Sequence, residues 1–161
     1  MAATHIVSSD PEMLRLAIRS GAGVVRESGD QGVNSAVEAG VRALGRPQKV
    51  LVLPSDLPLL SASHLRHVAS LSESMQVVIA PSSSFNGTNA LVFPPRAGLS
   101  LSYDNDSFWN HVRASGRKGL SVGVVSRPGL TFDLDSPEDL YKLAQARVDT
   151  PGVAFARSAT S

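Results

Sequence analysis

Strands that alternate with helices along most of the chain predict an open α/β sheet with helices on both faces. Three observations carry that prediction. Val50-Leu51-Val52-Leu53 is apolar without alternation, Val77-Val78-Ile79-Ala80 repeats the pattern, and helix-start signals stand at Asp10-Pro11 and Ser136-Pro137. Unbroken apolar runs suit strands covered on both faces of a parallel sheet. With 161 residues the chain is long enough for one domain with a buried core.

The first predicted strand is the β-branched run from Thr4 to Val7. Asp10 then reads as a helix N-cap with Pro11 at the first helical position, and Met13, Leu14, Ala17 and Ile18 mark one helical face. Gly21-Ala22-Gly23 stops that helix, and Val24-Val25 begins a second short strand. A loop at Gly29-Asp30-Gln31-Gly32 leads into a small-residue helix from Asn34 to Leu44. The strand at Val50–Leu53 ends at Pro54-Ser55-Asp56. A helix follows over Leu65, Val68, Ala69 and Leu71, capped from Ser61–Ser63, and then the strand at Val77–Ala80. Phe85-Asn86-Gly87-Thr88-Asn89 is a loop entering the strand Ala90–Phe93. Phe108 to Ser115 reads as a short helix with Ser107 as its cap, and Leu120 to Val125 as a strand. Ser136-Pro137-Glu138-Asp139 opens the last helix by capping, with acids in the first turn. Beyond Val148 the residues are small and polar, so residues 1–148 are expected to form the domain and 149–161 a flexible tail.

Composition narrows the function. Hydrophobic residues make up 42% and charged residues 18%, the balance of a folded globular chain. The net charge of +1 lacks the basic surplus of a nucleic-acid binder, so any phosphate must be held by a local site. The absence of cysteine excludes disulfides, thiolate metal sites and cysteine nucleophiles. No apolar run approaches the ~20 residues that span a bilayer, and residues 1–13 lack a signal peptide's blocks; the expectation is a cytoplasmic protein with no membrane partner. No G-x-S-x-G, Walker A or dinucleotide glycine pattern occurs. His5, His64, His67 and His111 show no metal spacing. His64 and His67 read as a solvated helix face, and Lys49, Arg113, Arg117 and Lys118 as surface charges.

Three acids stand out. Asp56 follows the most apolar strand, at the sheet edge where ligands collect, although it also fits a turn with Pro58. In the extended segment Phe132-Asp133-Leu134-Asp135, residues two apart face one side. Asp133 and Asp135 can therefore present two carboxylates to one spot, an arrangement that a cation relieves. Helix capping by Asp135 or Ser136 accounts for one aspartate but not both. At Gly87-Thr88-Asn89, glycine permits close approach of backbone N–H groups to an anion and threonine adds a hydroxyl; a plain turn is the alternative. Ser102 to Phe108 forms a second polar loop, with His111 one helical turn beyond Ser107.

The ordered pieces HIVSSD, QGVNSAVEAG, LVLPSDLPLL, FNGTNALVF, YDNDSF followed by His111, and FDLDSPEDL, from Thr4 to Leu143, resemble the phosphoenolpyruvate or 2-phospho-L-lactate guanylyltransferases of deazaflavin coenzyme F-420 biosynthesis. The resemblance implies a mixed, mainly parallel sheet of the nucleotide-diphosphate-sugar transferase type. It implies that a phosphorylated three-carbon acid attacks the α-phosphate of GTP and pyrophosphate leaves. By motif, Asp56, Asp133 and Asp135 would be the catalytic magnesium ligands. Thr88 and Ser107, with Gly87, Asn89 and Asp104 beside them, would line the acceptor site, and Gly32 and Asn34 would lie near the nucleoside. Asp104 stands where the family carries glycine, and a carboxylate there repels an anionic acceptor unless it points away or joins the metal site. The family's opening strand, basic nucleotide loop and helix, about 30 residues for such a unit, do not precede Thr4; a mis-assigned start is the expected reason. A molybdopterin-guanylyl type of transferase and a non-catalytic fragment that binds phosphorylated acid or metal are the alternatives.

Overall fold

In the computed structural model, which describes residues 3–29 and 31–160, the chain forms two sheets joined by helices. β1 (His5–Ser8) and β2 (Gly23–Arg26) pair in parallel, His5 opposite Gly23 and Ser8 opposite Arg26. Their crossover is α1 (Pro11–Arg19), whose N-cap Asp10 accepts from the Glu12 amide at 2.7 Å. The second sheet has the order β3 (Val50–Val52), β5 (Thr88–Phe93), β4 (Val77–Pro81), β6 (Val122–Val124). β5 runs antiparallel to β3 and β4, and β4 runs parallel to β6.

The predicted fold class holds as mixed α/β, but the sheet is not mainly parallel. Among the described residues, parallel and antiparallel pairings are equal in number. The short connection over residues 82–87 makes β4 and β5 a hairpin, which fixes them antiparallel. β3 departs from expectation too: it is an edge strand of its sheet, and Leu51 is 38% exposed. β4, by contrast, is buried at every residue.

Side-chain alternation along β4 and β5 divides the core. Ile79, Leu91 and Phe93 face α2 (Val33–Ala43) and α4 (Ser107–Arg117), packing with Val37, Phe108 and Ala114. Val78, Ala80, Ala90 and Val92 face α3 (Ala62–Ser74) and the single turn α5 (Pro128–Thr131), packing with Val68 and Leu130. Each fully buried aliphatic side chain of this kind contributes roughly 1.5–3 kcal/mol.

The expected tail is structured. α6 (Pro137–Ala144) is followed by α7 (Pro151–Ala159), and Leu143, Val153 and Ala156 form a third cluster, the last two fully buried. Thr150 caps α7 by accepting from the Val153 amide at 3.2 Å, and Pro151 sits at its first position. Small residues that read as loop are what let this helix lie close: a Cβ on Gly152 would stand 2.9 Å from the Pro58 Cβ.

Smaller expectations also shift. On α1 only Leu14 and Ala17 are buried, while Met13 and Ile18 are 40% and 60% exposed. His64 is no solvated residue: it accepts from the Ser61 amide at 3.2 Å and fills the space beside Gly129. Lys49 donates to the Ser72 and Met75 carbonyls at the end of α3 rather than standing free. Asp30 of the expected loop and Ser161 of the expected tail lie outside the described residues. No described helix is long and apolar enough to cross a membrane.

Candidate functional site

β3, β4 and β6 run in one direction and β5 in the other. The C-terminal ends of the first three and the start of β5 therefore share one sheet edge, the edge at which α/β sheets collect ligands. Asp56 follows β3 there. The loop over residues 82–87 delivers Thr88 there. β6 leads through α5 to Asp133 and Asp135. Three segments distant along the chain thus supply Asp56, Thr88, Asp133 and Asp135, while Asp104 and Ser107 come from the loop before α4 and its first residue.

The Asp56 carbonyl accepts from the Leu134 amide at 3.0 Å, pinning the β3 loop to the Asp133–Asp135 segment. The Asp56 carboxyl is pushed above the ordinary carboxylate range, first by burial and then by the negative charges of Asp135 and Asp133. Its Oδ1 is buried and has no hydrogen-bond partner among the described residues. Ser136, not Asp135, caps α6: its hydroxyl faces the Asp139 amide and carboxylate in a reciprocal capping box. Capping therefore occupies neither Asp133 nor Asp135. The charges of Asp133 and Asp135 act on Asp56, yet among the described residues no three acidic or imidazole groups form a ready-made cation site.

The second half of the site is buried. Ala80 pairs with Ala90 but Pro81 pairs with Thr88, so Asn89 is an extra residue in β5. Such a bulge re-aims the side chains beyond it. Without it Thr88 would share a face with Ala90 and Val92; with it, Thr88 turns toward α4. There Thr88 Oγ1 lies 3.0 Å from His111 Nδ1 and accepts from Ser107 Oγ at 3.1 Å. His111 Nε2 accepts from the Ser102 amide at 3.1 Å. Ser107 and His111 are 2% and 0% exposed, and burial lowers the His111 pKa to about 4. The Tyr103 ring meets the imidazole edge-on at 4.9 Å, and burial raises the pKa of its hydroxyl.

Ser107 was expected to cap α4, but Asp106 is the cap, in the left-handed conformation at φ 58°, and Ser107 begins the helix. Its hydroxyl is thereby released to Thr88. Phe85 is also left-handed, at φ 59°. A bulky side chain pays about 1–3 kcal/mol for that conformation, and the ring packs edge-on to Phe108 at 5.7 Å.

Asn34, in the first turn of α2, accepts from the Tyr103 amide at 2.9 Å and reaches the Asp104 carboxylate at 3.4 Å. Gly32 caps α2 at φ 81°, a backbone that glycine adopts without strain. Asn34 thus ties the start of α2 to the loop at Tyr103 and Asp104. Asp104 is exposed and, with Asn86, Gly87, Tyr103, Asn105 and Asp106, lines a polar cavity of about 530 Å³. The Gly87 amide is not open to an anion, because it donates to Ser82 Oγ at 2.9 Å. Asn89 is buried with its Nδ2 unpartnered among the described residues.

Sequence reasoning missed Ser82 and Asn86, which shape the 82–87 loop: Ser82 and Ser84 both donate to Asn86 Oδ1, at 3.0 and 2.6 Å. The PSSSFN run was the available signal, since serine and asparagine side chains close such turns. Ser102, which contributes only a backbone N–H to the imidazole, had none.

Comparison with known proteins adds independent findings. Residues 2–159 match the family model described as "Guanylyl transferase CofC like". The chain is 40% identical over 141 residues to the phosphoenolpyruvate guanylyltransferase of Rubrobacter xylanophilus, covering 86% of this chain and 68% of that protein. It is 31% identical over 139 residues to the 2-phospho-L-lactate guanylyltransferase of Methanocaldococcus infernus, covering 86% of this chain and 62% of that protein. Among solved structures, a nucleotide-diphospho-sugar transferase assignment from Desulfovibrio desulfuricans G20 superposes with a TM-score of 0.75 at 15% identity, over 98% of this chain and 74% of the other. The molybdopterin-guanine dinucleotide biosynthesis protein A of Archaeoglobus fulgidus gives 0.53 at 16% identity, over 86% of this chain and 75% of the other. At such identities the likeness establishes the fold alone.

Proposed function

The chain belongs to the CofC-like guanylyl transferase family, and on that premise we propose that it moves GMP from GTP to a phosphorylated three-carbon acid, phosphoenolpyruvate or 2-phospho-L-lactate, with release of pyrophosphate, in coenzyme F-420 biosynthesis in the cytoplasm. The observation that supports this most is a single sheet edge that carries both a carboxylate corner and a buried hydroxyl pair. Transfer between phosphates needs positioning and charge neutralisation more than covalent help from the protein. The attacking phosphate oxygen is already ionised near neutral pH, so no general base is required.

Asp56, Asp133 and Asp135 are the proposed magnesium ligands. The fit rests on the buried, unpartnered Asp56 Oδ1 and on two further carboxylates near enough to raise that group's pKa. Magnesium bound there supplies neutralisation of charge on the phosphates. The bond from the Leu134 amide to the Asp56 carbonyl holds the backbones that carry the three carboxylates together. Thr88 and Ser107 are the proposed acceptor contacts, with the α4 N-terminus behind them favouring an anion. Gly87 and Asn89 hold the backbone that presents Thr88. Gly32 and Asn34 are the proposed neighbours of the nucleoside. Asp104, on the cavity wall, restricts which acid can lie there, since its charge opposes a second anion.

The test is direct. The chain is incubated with GTP, magnesium and each acid, and pyrophosphate release is followed. Magnesium-dependent release with at least one acid, lost in Asp56→Ala and Asp133→Ala, is the expected result. Release that neither substitution diminishes, or no release with any acceptor, overturns the proposal.

A further inference from the structure

We propose that His111 is a positioning residue that fixes the direction of the buried hydrogen-bond chain, so that the Thr88–Ser107 pair keeps one hydroxyl proton for an anionic oxygen of the acceptor. This rests on the acceptor reading above.

The argument is a count of protons. The Ser102 amide can only donate, and it points at His111 Nε2 at 3.1 Å. That nitrogen must therefore carry the lone pair, and in the neutral ring the proton sits on Nδ1. Nδ1 then donates to Thr88 Oγ1 across 3.0 Å. Thr88 and Ser107 together own two hydroxyl protons, and their mutual bond at 3.1 Å consumes one. The other has no acceptor among the described residues, so it is available to a ligand. With the opposite tautomer Thr88 would spend its proton on Nδ1 and Ser107 would spend its own on Thr88. Nothing would then be left to donate, and the Nε2 proton would collide with that of the Ser102 amide.

The surroundings hold this arrangement in place. His111 is 0% exposed, Tyr103 closes one side of the ring, and burial lowers the ring's pKa to about 4, so near neutrality it does not gain a second proton. The Thr88 oxygen is filled by two donors and offers its own proton, so at that atom an ionised oxygen, which only accepts, is the fitting partner. The preference for an acid thus originates in a ring that need not touch the substrate.

The test combines a spectrum with a titration. The ¹⁵N signals of His111 in the unsubstituted full chain report the tautomer directly, with no variant needed. Calorimetric titration with phosphoenolpyruvate in magnesium then compares wild type with Thr88→Val, His111→Leu and His111→Asn. Asparagine can place an N–H where Nδ1 stands; leucine cannot. The expected result is an Nδ1-protonated ring, a loss of about 10-fold or more in affinity for Thr88→Val and His111→Leu, and recovery of most of that loss in His111→Asn. An Nε2-protonated ring overturns the inference, as does His111→Asn falling as far as His111→Leu while both remain folded by circular dichroism. If the wild-type chain binds neither phosphoenolpyruvate nor 2-phospho-L-lactate, the acceptor reading itself fails. If it binds with the wrong tautomer, only the inference does.

Discussion

The His111 ring has both nitrogens bonded within the chain, to Ser102 and Thr88, whereas Asp56, at the same sheet edge, is left with a buried oxygen that no described group satisfies. One region is completed by the fold and the other is left for something else to complete. The difference is what the proposed reaction between anions requires. Hydroxyls that select an acid must be aimed before it arrives, because reorienting them costs binding energy. A carboxylate corner held fully neutralised by the chain would have nothing left to offer a cation. Unpartnered charge is expensive in the folded state, so the corner lowers stability while the His111 network raises it.

Substitution can break that contrast. The largest expected effect is on activity: Asp56→Asn lowers magnesium-dependent pyrophosphate release by roughly 100-fold or more and leaves the urea midpoint unchanged or raised, since a desolvated charge is removed. A clear fall in that midpoint would show that Asp56 is structural. His111→Leu should do the reverse on stability, at a cost of about 2–4 kcal/mol by urea denaturation, because it strands the half-buried Ser102 amide and the buried Thr88 hydroxyl.

Acid sharpens the same comparison. The His111 pKa is near 6.5 when unfolded and about 4 when folded. Between those values the unfolded chain binds a proton that the folded chain does not, so stability is full above about pH 6.5 and is lost as the pH falls toward 4. The loss from this group is roughly 3 kcal/mol, and its signature is an acid limb that flattens in His111→Leu relative to wild type. The smallest expected effect concerns a helix cap: Thr150→Ala removes the acceptor for the Val153 amide and costs about 1 kcal/mol, read from the thermal midpoint.

Much of this was legible in the residues. Asp10-Pro11 and Ser136-Pro137 marked their helices because capping chemistry is local. The β4 run was correctly read as buried. The approach of Asp56 to Asp133 and Asp135 followed from motif resemblance, and the chain fold brings those segments into contact. What stayed hidden depends on pairing between distant segments. Nothing in Val50–Leu53 announces that β3 is an edge strand paired antiparallel to β5. The extra residue at Asn89 is visible only once Pro81 is known to face Thr88. His111 carries no spacing signature, because its partners are a backbone amide and a hydroxyl. α7 was missed for another reason: Thr150-Pro151 offered the same cap-and-proline signal as the other helices, and the small residues after it outweighed that signal.

That last helix reaches further than its own cluster. The Thr150 hydroxyl donates to the Pro58 carbonyl at 3.3 Å, and Gly152 lies against the Pro58 ring, two residues beyond Asp56. α7 is thus a strut against the segment that carries Asp56. Prying it away would blunt the cation affinity proposed for Asp56 without touching a proposed ligand, and would do so while the buried imidazole network reports a healthy protein.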